Sequence, residues 1–162
     1  MLNYSPSMLL PVNVIRADEL DKAKLLAHLS VELDEYKLLN ARNQILGSEN
    51  EVYLVYQMDR SDPITFAVTT DYTRITHSKE IIIYYPERIE DLELFKTVLQ
   101  RIVSILSEDQ DNNYIILKIR DSLENLTVVA ESIGFMKDGI FISNQFLEGE
   151  FTFYSVYIYK LI

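Results

Sequence analysis

The chain of 162 residues contains no cysteine and no tryptophan. Without thiols there are no disulfides, thiolate metal centres or cysteine nucleophiles. Only two histidines occur, His28 and His77, and neither stands in a cluster of ligand types, so no metal site is expected. Positive charge is scarce: 15 Lys and Arg against 25 Asp and Glu leave a net charge of −10. Nucleic-acid binders concentrate positive charge to neutralise phosphates, so nucleic acid is not an expected partner. An acidic surface keeps a protein soluble and admits a cationic substrate or partner. No apolar run approaches the roughly 20 residues a membrane helix needs, so no span is expected. The opening MLNYSPSMLLPVNVIRADE has no basic residue before its apolar run and carries Pro11 within it, unlike a signal peptide; the expected location is the cytoplasm. Glycine is also sparse, with four in all and none between Gly47 and Gly134.

What is present suits one domain spanning residues 1–162, since 48% hydrophobic content in a chain of this length builds one core. No repeat or low-complexity tract interrupts it, and Pro6, Pro11, Pro63 and Pro86 fall near element boundaries. A short apolar stretch at 9–15 precedes a helical region over 18–46. There Leu25, Leu29, Leu33 and Tyr36 recur at helical spacing, and a break into two helices is expected around 39–42. Three strands follow at 51–58, 64–72 and 80–85, rich in Val, Ile, Tyr, Phe and Thr. A helix over 92–106 presents Phe95, Val98, Leu99, Ile102, Ile105 and Leu106 on one face. The nearly unbroken apolar run at 114–119 reads as a strand covered on both sides. Asp121 and Ser122 are N-cap types ahead of a helix that buries Leu126, Val129, Ala130 and Ile133 and ends at Gly134. Two strands at 137–143 and 151–161, turning around Glu148 and Gly149, complete the order β-α-α-β-β-β-α-β-α-β-β.

That order resembles the GNAT superfamily of acyl-CoA-dependent N-acetyltransferases, as do AESIGF at 130–135, the aromatic final strand FTFYSVYIYKLI and the YYPER turn at 84–88. The resemblance implies an α+β fold with a mixed sheet of about six to seven strands and about four helices. It further implies acetyl-CoA as cofactor. In the family the fourth strand splays from the fifth, the pantetheine arm lies along the freed backbone, and the pyrophosphate meets N–H groups at the start of the next helix. By the same resemblance Tyr84, Tyr85 and Arg88 would lie against the cofactor. Glu80 or His77 would serve as the general base that deprotonates an amine substrate.

The sequence departs from the family pattern at three places. The small positions of the phosphate loop fall near Glu90, Leu92 and Leu94, none of them glycine, although a Cβ there obstructs close approach of phosphate to the backbone. Glu87, Glu90, Asp91 and Glu93 put carboxylates where phosphate charge would rest, with Arg88 the cation nearby. In the helix that ends at Gly134, Leu123 and Ala130 stand where the family usually has an asparagine and the tyrosine that protonates the leaving thiolate.

Three readings follow. The chain is an active N-acetyltransferase for a cationic amine with Glu80 or His77 as base; or a GNAT-fold module without transfer chemistry that binds a ligand or protein; or an unrelated α+β protein. The second fits the residues best. Eleven tyrosines, among them Tyr84, Tyr85, Tyr114, Tyr154, Tyr157 and Tyr159 on expected strands, read as half-buried sheet packing or as the contact surface of a ligand cleft or homodimer seam.

Overall fold

Alternation in the strands and 3.6-residue periodicity in the helices produce two helical layers on one sheet. The computed structural model describes residues 12–57, 61–73, 77–84, 91–109, 111–120, 122–147 and 150–161. The elements are β1 (Val12–Arg16), α1 (Glu19–Glu32), α2 (Glu35–Leu46), β2 (Glu51–Gln57), β3 (Thr65–Thr73), β4 (Ser78–Ile83), α3 (Leu92–Ser107), β5 (Tyr114–Arg120), α4 (Glu124–Ile133), β6 (Met136–Leu147) and β7 (Glu150–Lys160). This is the expected order. The seven strands form one mixed sheet, β1-β2-β3-β4-β5-β7-β6, in which β4 and β5 are parallel and every other neighbouring pair is antiparallel.

α3 is the central packing element. Its apolar residues recur at helical spacing, so Leu94, Phe95, Val98, Leu99, Ile102, Val103 and Leu106 are all buried. At roughly 1.5–3 kcal/mol for each large apolar side chain, this stripe is the largest single contribution of any helix. With Leu126, Val129 and Ala130 of α4 it covers one sheet face, against Ile81 of β4 and Ile115, Leu117 and Ile119 of β5. The opposite face carries a second core. There Leu25 and Leu29 of α1 and Ala41 and Ile45 of α2 lie on Val52, Leu54, Phe66 and Val68. Alternate residues of β2 and β3 thus serve different cores, with Val55 and Ala67 on the first and Val52, Leu54, Phe66 and Val68 on the second.

The break between α1 and α2 falls at Leu33, not at the expected 39–42. Leu33 is extended (φ −102°, ψ 148°), and the Asp34 carboxylate accepts the Lys37 N–H at 2.8 Å, starting a new helix. The apolar spacing of Leu29, Leu33 and Tyr36 runs through the break, while the cap decides it. α1 itself begins with a reciprocal cap: Asp18 accepts from the Asp21 N–H at 2.8 Å and Asp21 accepts from the Asp18 N–H at 3.1 Å. The Asp21 N–H favours the ionised form of Asp18 and holds its carboxyl below the usual range.

α4 lacks the N-cap expected of Ser122. Its cap position is Leu123, which makes no side-chain cap hydrogen bond and packs against the α3 core; Asp121 lies outside the described residues. The helix ends at Gly134 with φ +124°. A Cβ there would also stand 3.1 Å from the Tyr159 ring. That ring in turn meets buried Phe135 at 5.2 Å between centroids. The Gly-Phe pair is therefore explained by left-handed backbone and aromatic packing.

Candidate functional site

The ladder between β4 and β5 ends early. Ser78 to Ile81 pair with Tyr114 to Leu117, and the pairing goes no further, although each strand continues. β4 remains paired with β3 as far as Ile83, and β5 remains paired with β7 as far as Arg120. The strands part after Ile81 and Leu117. The Tyr84 N–H donates to the Phe66 carbonyl, and the Thr65 hydroxyl donates to the Tyr84 carbonyl. Tyr84 therefore directs its backbone toward β3. By alternation Ile83 directs its N–H and C=O toward the opening left by β5.

Glu80 lies one residue before the point of parting, opposite Ile116. One oxygen of its carboxylate is 3.3 Å from the Lys118 Nζ, and the two side chains are 14% and 19% exposed. The same ammonium stands 5.2 Å from the centroid of the Tyr72 ring, within the range of an attraction between a cation and the ring quadrupole. β3, β4 and β5 thus each contribute one member of a carboxylate, ammonium and aromatic cluster.

His77 does not join this cluster. His77 is an exposed turn residue with φ 53°, and its carbonyl accepts from the Asn113 N–H at 2.9 Å. It stands at the opposite end of β4 from the opening, about 15 Å away at roughly 3.3 Å per strand residue. Tyr84 is a half-buried residue just after β4, stacked on Phe66 at 4.4 Å and 11°. Tyr85 and Arg88 lie outside the described residues, as do Glu87 and Glu90. At the start of α3, the Asp91 carboxylate accepts the Glu93 N–H at 2.9 Å, and Glu93 occupies the first turn. Ala130 is fully buried in the core. Of the tyrosines on the final strand, Tyr157 is buried with its hydroxyl 3.4 Å from Glu131, and Tyr159 packs on Phe135.

Lys118 is the member that the sequence reading missed. Its signal was a lysine between Leu117 and Ile119 in YIILKIR, inside the apolar run at 114–119 expected to be covered on both sides; a charge in such a place requires a partner. On the other sheet face a recess of about 440 Å³ is lined by Arg16, Glu51, Tyr53, Lys79 and the end of α3. Arg16 and Glu51 are paired there at 2.8 Å. The Tyr53 hydroxyl donates to Glu51 at 2.6 Å. Burial first, and then that carboxylate, hold the phenol well above its usual pKa. No group of three or more metal-ligating side chains occurs among the described residues, and no described helix is long and apolar enough to cross a membrane.

The same architecture recurs in solved structures of acetyltransferases. Spermidine N-acetyltransferase from Vibrio cholerae, solved in complex with CoA and spermine, superimposes with a TM-score of 0.68 at 13% identity over 93% of this chain and 95% of that one. A putative acetyltransferase from Acinetobacter baylyi gives 0.69 at 11% identity, over 93% of each chain. An acetyltransferase of the GNAT family from Streptococcus pneumoniae gives 0.66 at 15% identity, over 93% and 99%. No protein-family model and no curated protein sequence match the chain. The chain has the GNAT fold of these structures at 11–15% sequence identity.

Proposed function

We propose that this GNAT-fold chain is a ligand- or protein-binding module that does not carry out acetyl transfer. The observation that carries this reading is the start of α3. There Asp91 already takes up the Glu93 N–H, and Glu93 adds a second carboxylate to the first turn. A pyrophosphate at this helix end would compete with a resident anion for an N–H and meet like charge. Among the described residues, the groups there do not suit a phosphate-bearing cofactor. Buried Ala130 supplies no proton for a departing thiolate. The retained opening between β4 and β5 is then a place for another ligand, and a protein partner or homodimer uses the exposed sheet surface.

A second reading is favoured by the opening itself. Parted strands with Glu80 beside them are the arrangement that an acetyl-CoA-dependent transferase of a cationic amine requires, with Glu80 better placed than His77 to act as base. The Vibrio cholerae spermidine enzyme supplies an example of such an amine, and a dodecamer of that enzyme an example of assembly. Calorimetric titration with acetyl-CoA separates the two. The expected result is no binding heat at millimolar cofactor, and micromolar affinity would overturn the non-catalytic reading.

A further inference from the structure

We propose that the Glu80 carboxylate and the Tyr72 ring form a binding site for a primary ammonium, and that the chain fills this site with its own Lys118. This rests on the reading that the opening does not serve amine acetylation, and it states which chemical class the opening excludes. An exposed cross-strand pair holds its charges loosely in water. Here both partners are largely withdrawn from solvent, and the ammonium has a carboxylate 3.3 Å on one side and an aromatic ring 5.2 Å on another. Anion and π-face together are the complement of an alkylammonium ion. The lysine arises from β5 one residue past Leu117, the last residue paired with β4, so its stem issues where the strands part and its head turns back onto Glu80. A free amine approaching Glu80 on this face finds the carboxylate occupied by an intramolecular competitor that pays no translational entropy. Lys118 is thus a specificity-determining residue: it closes the cation site to amines and leaves the opening to ligands of other chemistry.

Chemical complementation tests this. Lys118→Ala removes a stem and ammonium equivalent to n-propylammonium. That ion, added at about ten times its dissociation constant, is expected to raise the melting temperature of the variant by about 3–6 °C. Wild type and Glu80→Gln/Lys118→Ala are expected not to respond, and n-butyrate is expected to have no effect on any of them. An equal shift in wild type would show that Lys118 does not fill the site. No shift in Lys118→Ala, or an undiminished shift in the double variant, would show that Glu80 does not define it. Should Lys118→Ala fail to fold alone, refolding on addition of propylammonium supports the proposal. In that event Lys118→Met, which keeps the stem and vacates only the place of the Nζ atom, asks the same question with the ammonium ion, and no response overturns it. The two experiments fail separately: tight acetyl-CoA binding would end the non-catalytic reading and with it the exclusion of amines from the opening, while the occupancy of the Glu80 site by Lys118 would stand; failed complementation would end that occupancy and leave the non-catalytic reading in place.

Discussion

Two clusters of carboxylate, cation and tyrosine lie on opposite faces of the sheet, and they are built the other way round from each other. In the first, the Tyr53 hydroxyl donates to Glu51 from inside the protein, and the cation Arg16 is outermost, with its side chain 68% exposed. In the second, the cation is within: Lys118 is 19% exposed and Glu80 14%, and the tyrosine, Tyr72, is the exposed member at 46%. Both contain a pair of opposite charges within 3.3 Å, so the pair alone does not distinguish a site. What differs is which group has left water. A phenol buried against a carboxylate satisfies a core hydroxyl, while an ammonium held between a carboxylate and a ring reproduces the binding of a cationic ligand.

The largest expected effect comes from removing one charge of the inner pair. Lys118→Met leaves the Glu80 carboxylate withdrawn from solvent without its cation. The expected cost is about 1–3 kcal/mol, between the values for exposed and fully buried pairs. Adding Glu80→Gln removes the orphaned charge, and the double variant is expected to regain at least half of the loss. Chemical denaturation of the four proteins in a double-mutant cycle measures this. A coupling energy under about 0.5 kcal/mol would make the two clusters equivalent and end the distinction drawn between them. Arg16→Met is the matching change in the outer pair. Its guanidinium is mostly in solvent, so the expected cost is below about 1 kcal/mol and falls further with added salt.

The contrast also explains what the sequence disclosed. Periodicity made α3 legible because Phe95, Val98, Leu99 and Ile102 repeat at helical spacing and face one sheet, and the element order came from the same reasoning. Glu80 was recognisable as a carboxylate on the fourth strand. Its partner was not, because the register that brings Lys118 within reach of Glu80 is set by the parallel pairing of β4 with β5, and pairing between strands separated by a helix has no local signature. The early end of that ladder was expected only through resemblance, for the same reason. The α1–α2 break was misplaced because apolar spacing outweighed Asp34, a residue whose capping role was readable from its type and from the acid that follows it. Ser122 failed as a cap for the opposite reason: apolar packing of Leu123 fixed the start of α4 without any capping side chain.

The smallest effect at neutral pH, and the sharpest in form, is expected of Tyr53→Phe. The change removes one hydrogen bond to Glu51, a carboxylate that water still reaches, so the cost near pH 7 is about 0.5 kcal/mol. The pH dependence carries the information. Burial and the neighbouring carboxylate raise the Tyr53 pKa in the folded chain, whereas in the unfolded chain it is about 10. Below pH 10 the phenol keeps its proton in both states and its contribution is fully present. As pH rises past 10 the unfolded chain releases the proton while the folded chain retains it, so the unfolded state binds fewer protons and stability falls. Tyr53→Phe lacks this loss. The other tyrosines and the lysines titrate in both proteins, so the difference between the two stability curves isolates Tyr53. Wild type is expected to lead slightly at pH 7, and its lead is expected to shrink and reverse above pH 10. Parallel curves between pH 8 and about 11 would mean that the phenol at Glu51 is as open to water as the ring of Tyr72, and the opposition between the two clusters would then rest on Lys118 alone.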